Sequence, residues 1–88
     1  MNIYYTKKFL KELSKLPLKD RRKIENFVFV ELPNFKSIYE SGIIEKLKGY
    51  SDFYKARFGD FRIGIYYTNN ELTLQRALHR KEIYKVFP

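Results

Sequence analysis

Apolar residues recur with a helical period in the first half of this chain and with an alternating period in the second. Asn2 to Tyr5 is a short run rich in β-formers. Thr6 then suits the N-cap of a helix whose apolar positions are Phe9, Leu10, Leu13 and Leu16. Pro17 interrupts that pattern and fits the first turn of a second helix, which runs to about Leu32 with Ile24, Phe27, Val28 and Leu32 on one face. Pro33 is expected to stop it. Asn34 to Gly42 reads as a polar loop.

From Ile43 onward the pattern is that of antiparallel strands. Ile43 to Lys48 is the first, and Phe53 to Phe58 the second, with Tyr54, Ala56 and Phe58 on one side and Phe53, Lys55 and Arg57 on the other. Gly59 and Asp60 make a tight turn. The next strand puts Phe61, Ile63, Ile65 and Tyr67 opposite Arg62, Gly64 and Tyr66, and Asn69-Asn70 supplies a hairpin turn before Leu72 to Leu78. Arg80 to Phe87 is either a short helix or a docked coil. The order of elements implies one α+β domain over residues 1–88: an N-terminal strand, a two-helix hairpin, then a three- or four-stranded antiparallel meander with the helices on one sheet face. Lys55, Arg57 and Arg62 alternate on adjacent strands, so they should emerge together on the other face. Such a cluster of like charge suits an anion site.

Composition sharpens this picture. Eight Phe and eight Tyr supply much of the core, and the absence of Cys leaves hydrophobic packing to hold it. Lys and Arg outnumber Asp and Glu by 18 to 10, a net charge of +8 that favours a polyanionic partner, either nucleic acid or an acidic protein. Lys7, Lys8, Lys11, Lys15, Lys19, Arg21, Arg22 and Lys23 lie on the outer surfaces of the hairpin and read for the most part as solvation. No signal peptide or membrane span is visible, so the cytoplasm is the expected location and a membrane is not an expected partner.

The run EKLKGYSDFYKARFGDFRIGIY, Glu45 to Tyr66, and the later LHRKEIY, Leu78 to Tyr84, resemble the "LxG", "YkxRxGdyR" and "HRxxxY" signatures of the RelE/ParE toxin superfamily. The resemblance implies a RelE-like microbial ribonuclease-type fold. In its RelE-like branch it also implies messenger RNA cleavage in the ribosomal A site by 2′-hydroxyl attack on the adjacent phosphate, with no metal or other cofactor. Position by position, Lys55 matches an active-site lysine, Arg62 the arginine on the scissile phosphate, Arg80 a late proton donor or phosphate clamp, and Tyr84 a tyrosine that orients a nucleotide. Arg57 stands where RelE has the lysine proposed as general base, and a guanidinium is a poor proton acceptor. Glu45 and His79 match the acid–base pair of a YoeB-like branch, although Glu45 can equally be read as a structural partner of Lys46, Lys48 or Arg57. The resemblance further implies a cognate antitoxin, and a toxin–antitoxin complex that binds operator DNA. A second branch, the ParE-like gyrase inhibitors, shares the scaffold without catalysis, and the set His79, Arg80 and Tyr84 argues against it.

Overall fold

One side chain ends the first strand, starts the first helix and serves the last strand. In the computed structural model, which describes residues 1–88, the Thr6 hydroxyl accepts the Phe9 N–H at 3.0 Å and donates to the Gln75 carbonyl at 3.1 Å. Strand β1 (Asn2–Tyr5) thus passes directly into α1 (Lys7–Ser14). Pro17 then stands at the N-cap of α2 (Leu18–Glu25), one position before the helix, where it needs no N–H.

Beyond Glu25 the helical path continues but widens. Asn26–Glu31 is a π-helical turn and Leu32–Asn34 a 3₁₀ turn, so Pro33 lies inside the last turn and does not stop the helix before it. Five residues along an α-helix, Leu32 would point roughly 140° away from Phe27; the wider turn closes most of that gap. Phe27, Val28 and Leu32 can therefore all be buried. The Asn26 amide donates to the Glu31 carboxylate at 2.8 Å across the turn.

The second half forms β2 (Ile44–Lys46), β3 (Phe53–Phe58), β4 (Phe61–Thr68) and β5 (Glu71–His79), followed by α3 (Arg80–Val86). The sheet order is β1-β5-β4-β3-β2. β1 runs parallel to β5, with Asn2 opposite Glu71, and all other neighbours are antiparallel. Gly59 (φ +58°) makes the β3–β4 turn, and Asn69 and Asn70 (φ 51° and 62°) make the β4–β5 turn with the two positive φ values that a type I′ hairpin requires. A register shift at Gly64/Ile65 leaves Gln75 as the extra residue of β5.

α1 and α2 cover one sheet face. Phe9, Leu13 and Ile24 meet Ile63, Ile65, Leu72, Leu74 and Ala77 in the main core, where each fully buried large side chain contributes roughly 1.5–3 kcal/mol. The other face receives the C-terminal segment, which the sequence left as either a short helix or a docked coil and which forms α3. Ile83 and Phe87 of the C-terminal segment pack on Leu47, Phe53 and Leu78 to form a second, smaller cluster. Gly64 makes that approach possible, because a Cβ there would stand 2.9 Å from the Phe87 ring. No helix is long and apolar enough to cross a membrane.

Two tyrosines, buried Tyr54 and half-buried Tyr5, hold their phenolic protons more tightly than an exposed tyrosine does. The Tyr39 hydroxyl beside Tyr54, with burial and the Asp52 charge adding to it, pushes the Tyr54 phenol up to about 12. Burial alone raises Tyr5 above its ordinary 10.0, and its hydroxyl donates to the Val28 carbonyl at 2.8 Å. A raised phenol pKa means that the folded state holds the proton more tightly than the unfolded state. This stability is fully present below pH 10 and is lost as pH rises towards 12. Alkaline titration by tyrosinate absorbance should show two late-ionising tyrosines, with unfolding accompanying the last; ionisation of all eight near 10 in the folded protein would contradict it.

Candidate active site

Alternation along β3 and the β3–β4 register decide which side chains share a face. Arg57 and Arg62 are direct cross-strand partners, and Lys55 lies opposite Glu45 on β2 and Gly64 on β4. Glu45, Lys55, Arg57 and Arg62 therefore stand on the face that also receives α3. Lys55 and Arg57 are two residues apart, about 7 Å along the strand.

Their environments differ. Arg62 is 8% exposed, and its Nη1 donates to the Gly59 carbonyl at 2.7 Å and the Phe61 carbonyl at 3.0 Å. Those bonds fix the guanidinium against the β3–β4 turn and leave the Nε and Nη2 hydrogens for another acceptor. Arg57 is exposed. Lys55 is half-buried, with Nζ 5.7 Å from the centroid of the Tyr84 ring on α3. Glu45 is exposed and forms no ion pair with Lys46, Lys48 or Arg57.

The residues from the end of β5 arrive differently. His79 pairs with Phe61, so it has the parity of the helix-covered face, and its ring stands edge-on to Phe61 with centroids 5.5 Å apart. Its Nδ1 accepts the Lys81 N–H at 3.1 Å and so caps α3. With Nδ1 an acceptor, the neutral ring carries its hydrogen on Nε2 and presents a donor. Strand alternation does not bring His79 onto the Lys55–Arg57–Arg62 face; it stands at the end of the sheet beside the β3–β4 turn. Arg80 is anchored there to Asp60 by a hydrogen bond and an ion pair: its backbone N–H donates to the Asp60 carbonyl at 2.7 Å, and its Nε lies 3.5 Å from Oδ1. The Gly59-Asp60 turn thus holds both Arg62 and Arg80. The sequence marked Asp60 only as a turn residue, and no local signal reveals its second role, because Arg80 lies on the far side of a hairpin.

The resulting site is a basic strip. Tyr84 and Lys55 stand at one end, Arg57 and Arg62 in the middle, and Arg80 with His79 at the turn. Along its whole length the chain is 36% identical over 89 residues to the toxin RelE3 of Methanocaldococcus jannaschii, with 100% of both chains covered. The chain belongs to the RelE toxin family. No family model matches it. A chain of the RelB-RelE antitoxin-toxin complex from Methanococcus jannaschii is similar in structure, with a TM-score of 0.80 and 35% identity over 97% of this chain and 99% of that one. The isolated E. coli RelE toxin shares the fold at a TM-score of 0.66 and 20% identity, covering 96% and 90% of the two chains. The expected α+β class and the superfamily resemblance therefore hold for this RelE-family toxin, and its four-strand meander with a parallel fifth strand is the arrangement of that fold.

Proposed function

We propose that this RelE-family toxin is an endoribonuclease that cuts messenger RNA in the ribosomal A site and is held inactive by a cognate antitoxin. The observation that carries this reading is the basic strip: three cations on one sheet face, continued by Arg80 at the turn. In the reaction the ribose 2′-oxygen forms a bond to phosphorus and the bond to the 5′-oxygen breaks, leaving a cyclic phosphate and a 5′-hydroxyl. The crowded phosphorane carries extra negative charge, and fixed cations stabilise it most when they need not reorganise. Arg62, with one nitrogen committed to backbone carbonyls, is such a donor. Arg57 and Lys55 add charge along the strand.

Glu45 is the carboxylate on this face and takes the 2′-hydroxyl proton, a task that Arg57 cannot perform. Arg80 clamps the phosphate, and His79 donates a hydrogen bond from Nε2 to the leaving 5′-oxygen, which takes its proton from water. Tyr84 stacks on a base beside Lys55. The antitoxin partner is supported by the net charge of +8 and by the complex that the Methanococcus jannaschii relative forms. Binding of the pair to operator DNA is part of the same proposal.

The test is induction of the wild-type chain in cells, with new RNA 5′ ends, plasmid supercoiling and DNA breaks mapped together. Cuts in translated messages that vanish when initiation is blocked are the expected result. Intact RNA with gyrase-type DNA damage would overturn the proposal and favour inhibition without catalysis.

A further inference from the structure

Arg62 belongs to β4 and Arg80 to α3, yet the Gly59-Asp60 turn engages a different part of each guanidinium. A guanidinium is planar and presents two forks of paired N–H groups, one from Nε and Nη2 and one from Nη1 and Nη2. Arg62 spends Nη1 on the Gly59 and Phe61 carbonyls, which leaves its Nε–Nη2 fork open. Arg80 sets Nε against the Asp60 carboxylate, which leaves its Nη1–Nη2 fork open. Each open fork matches two oxygens of a phosphate.

Arg80 depends on its partner more than Arg62 does. It is the first residue of α3, its side chain is 54% exposed, and Lys81 follows it. Freezing a long, exposed side chain is costly unless something holds it. The nearby acids are engaged elsewhere or stand apart: Glu82 pairs with Lys85, Asp20 sits beside Gly59, and Glu45 lies opposite Lys55 on β2. Asp60 is the carboxylate that meets Arg80. Its place carries a contradiction, because an acid beside a phosphate site weakens the binding of an anionic substrate. The benefit of such a group has to lie in the transition state.

We propose that Asp60 is a positioning residue for cleavage, whose carboxylate turns the Nη1–Nη2 fork of Arg80 towards the phosphate under attack. This role rests on the ribonuclease reading. Asp60 acts through Arg80 and moves no proton.

The experiment follows single-turnover cleavage of a labelled message on programmed ribosomes over a range of full-length toxin, which separates the maximal rate from the half-saturating concentration. Asp60→Ala should lower the maximal rate about 10-fold, part of what losing the donor itself would cost. It should also half-saturate at roughly 2–3-fold lower concentration, because a negative charge beside the phosphate has gone. Asp60→Asn removes the same charge but keeps an oxygen for Arg80 Nε, so it should share the tighter binding and recover most of the rate. Added to Arg80→Ala, Asp60→Ala should slow cleavage by less than about 2-fold further. The bond from the Arg80 N–H to the Asp60 carbonyl does not involve the carboxylate, so Tm should hold in all of these variants. A wild-type maximal rate in Asp60→Ala, losses that multiply in the double variant, or a fall in rate matched by a fall in Tm would overturn the proposal. A wild type that cuts nothing removes the ribonuclease reading, and the aiming role with it, before any variant is compared. A wild type that cuts, with losses that multiply, removes the aiming role alone.

Discussion

Glu12→Ala is expected to destabilise the fold by about 3–5 kcal/mol, the scale for breaking a largely buried ion pair from one side. Glu12 accepts from Arg76 Nε at 3.1 Å and Nη2 at 2.7 Å, and its Oε1 also takes the Ala77 N–H at 3.0 Å. The two side chains are 17% and 15% exposed. The reason lies in the sheet: β1 stops pairing with β5 at Leu74, and beyond that point β5 has a free edge. Thr6 serves the Leu74 and Gln75 carbonyls, and Glu12 serves Ala77. Removing the carboxylate leaves a guanidinium without its partner and a strand N–H without an acceptor. Small domains are stable by about 5–15 kcal/mol in total, so this one change should consume a large share. Urea titration of Glu12→Ala beside Glu12→Leu/Arg76→Leu is the measurement, the double variant being the milder because no charge is stranded. A Glu12→Ala protein within about 0.5 kcal/mol of wild type would show that the pair is not structural.

Arg80→Ala should lower RNA cleavage by about 10²–10³-fold, the scale for losing one donor to a charged transition state, while the fold stays intact. The ion pair that it gives up, to Asp60, is 54% and 67% exposed, and such pairs are worth about 0–1 kcal/mol. The bond from the Arg80 N–H to the Asp60 carbonyl survives any side chain. Arg62 is the poorer target for this purpose, since its removal strips two turn carbonyls of their donor and mixes stability with activity. Quantified cleavage alongside Tm decides the matter. Full cleavage by Arg80→Ala would remove the arginine from the mechanism, and a large drop in Tm would make its role structural.

What was legible in the sequence is what local chemistry encodes. The Thr6 cap, the Gly59 turn and the Asn69-Asn70 hairpin each follow from residues within a few positions of one another. Period-2 alternation was enough to bring Lys55, Arg57 and Arg62 to one face. The features that escaped depend on residues far apart. Glu12 meets Arg76 across 64 positions, although its phase, three residues after buried Phe9, does place it on the inward side of α1. The docking of Phe87 on Gly64 and the hold of Asp60 on Arg80 require the meander to be folded first. His79 lies beyond the extra residue Gln75, which flips the alternation of β5, so its direction could not be read from period alone. The π turn after Glu25 satisfies the sheet beneath it, not a local preference.

The pairing of Asn2 with Glu71 also governs the order of events during synthesis. At roughly 5–20 residues per second, β1 leaves the ribosome several seconds before its partner strand exists. Until Glu71–Leu74 has been made, β1 has no neighbour to pair with, and Phe9 lacks the strand on which its helix packs. Closure over such a long loop belongs to the slower class of folding reactions. The nascent chain consequently carries its positive charge before it has a site, and the site is assembled only when β5 and the helix behind it arrive.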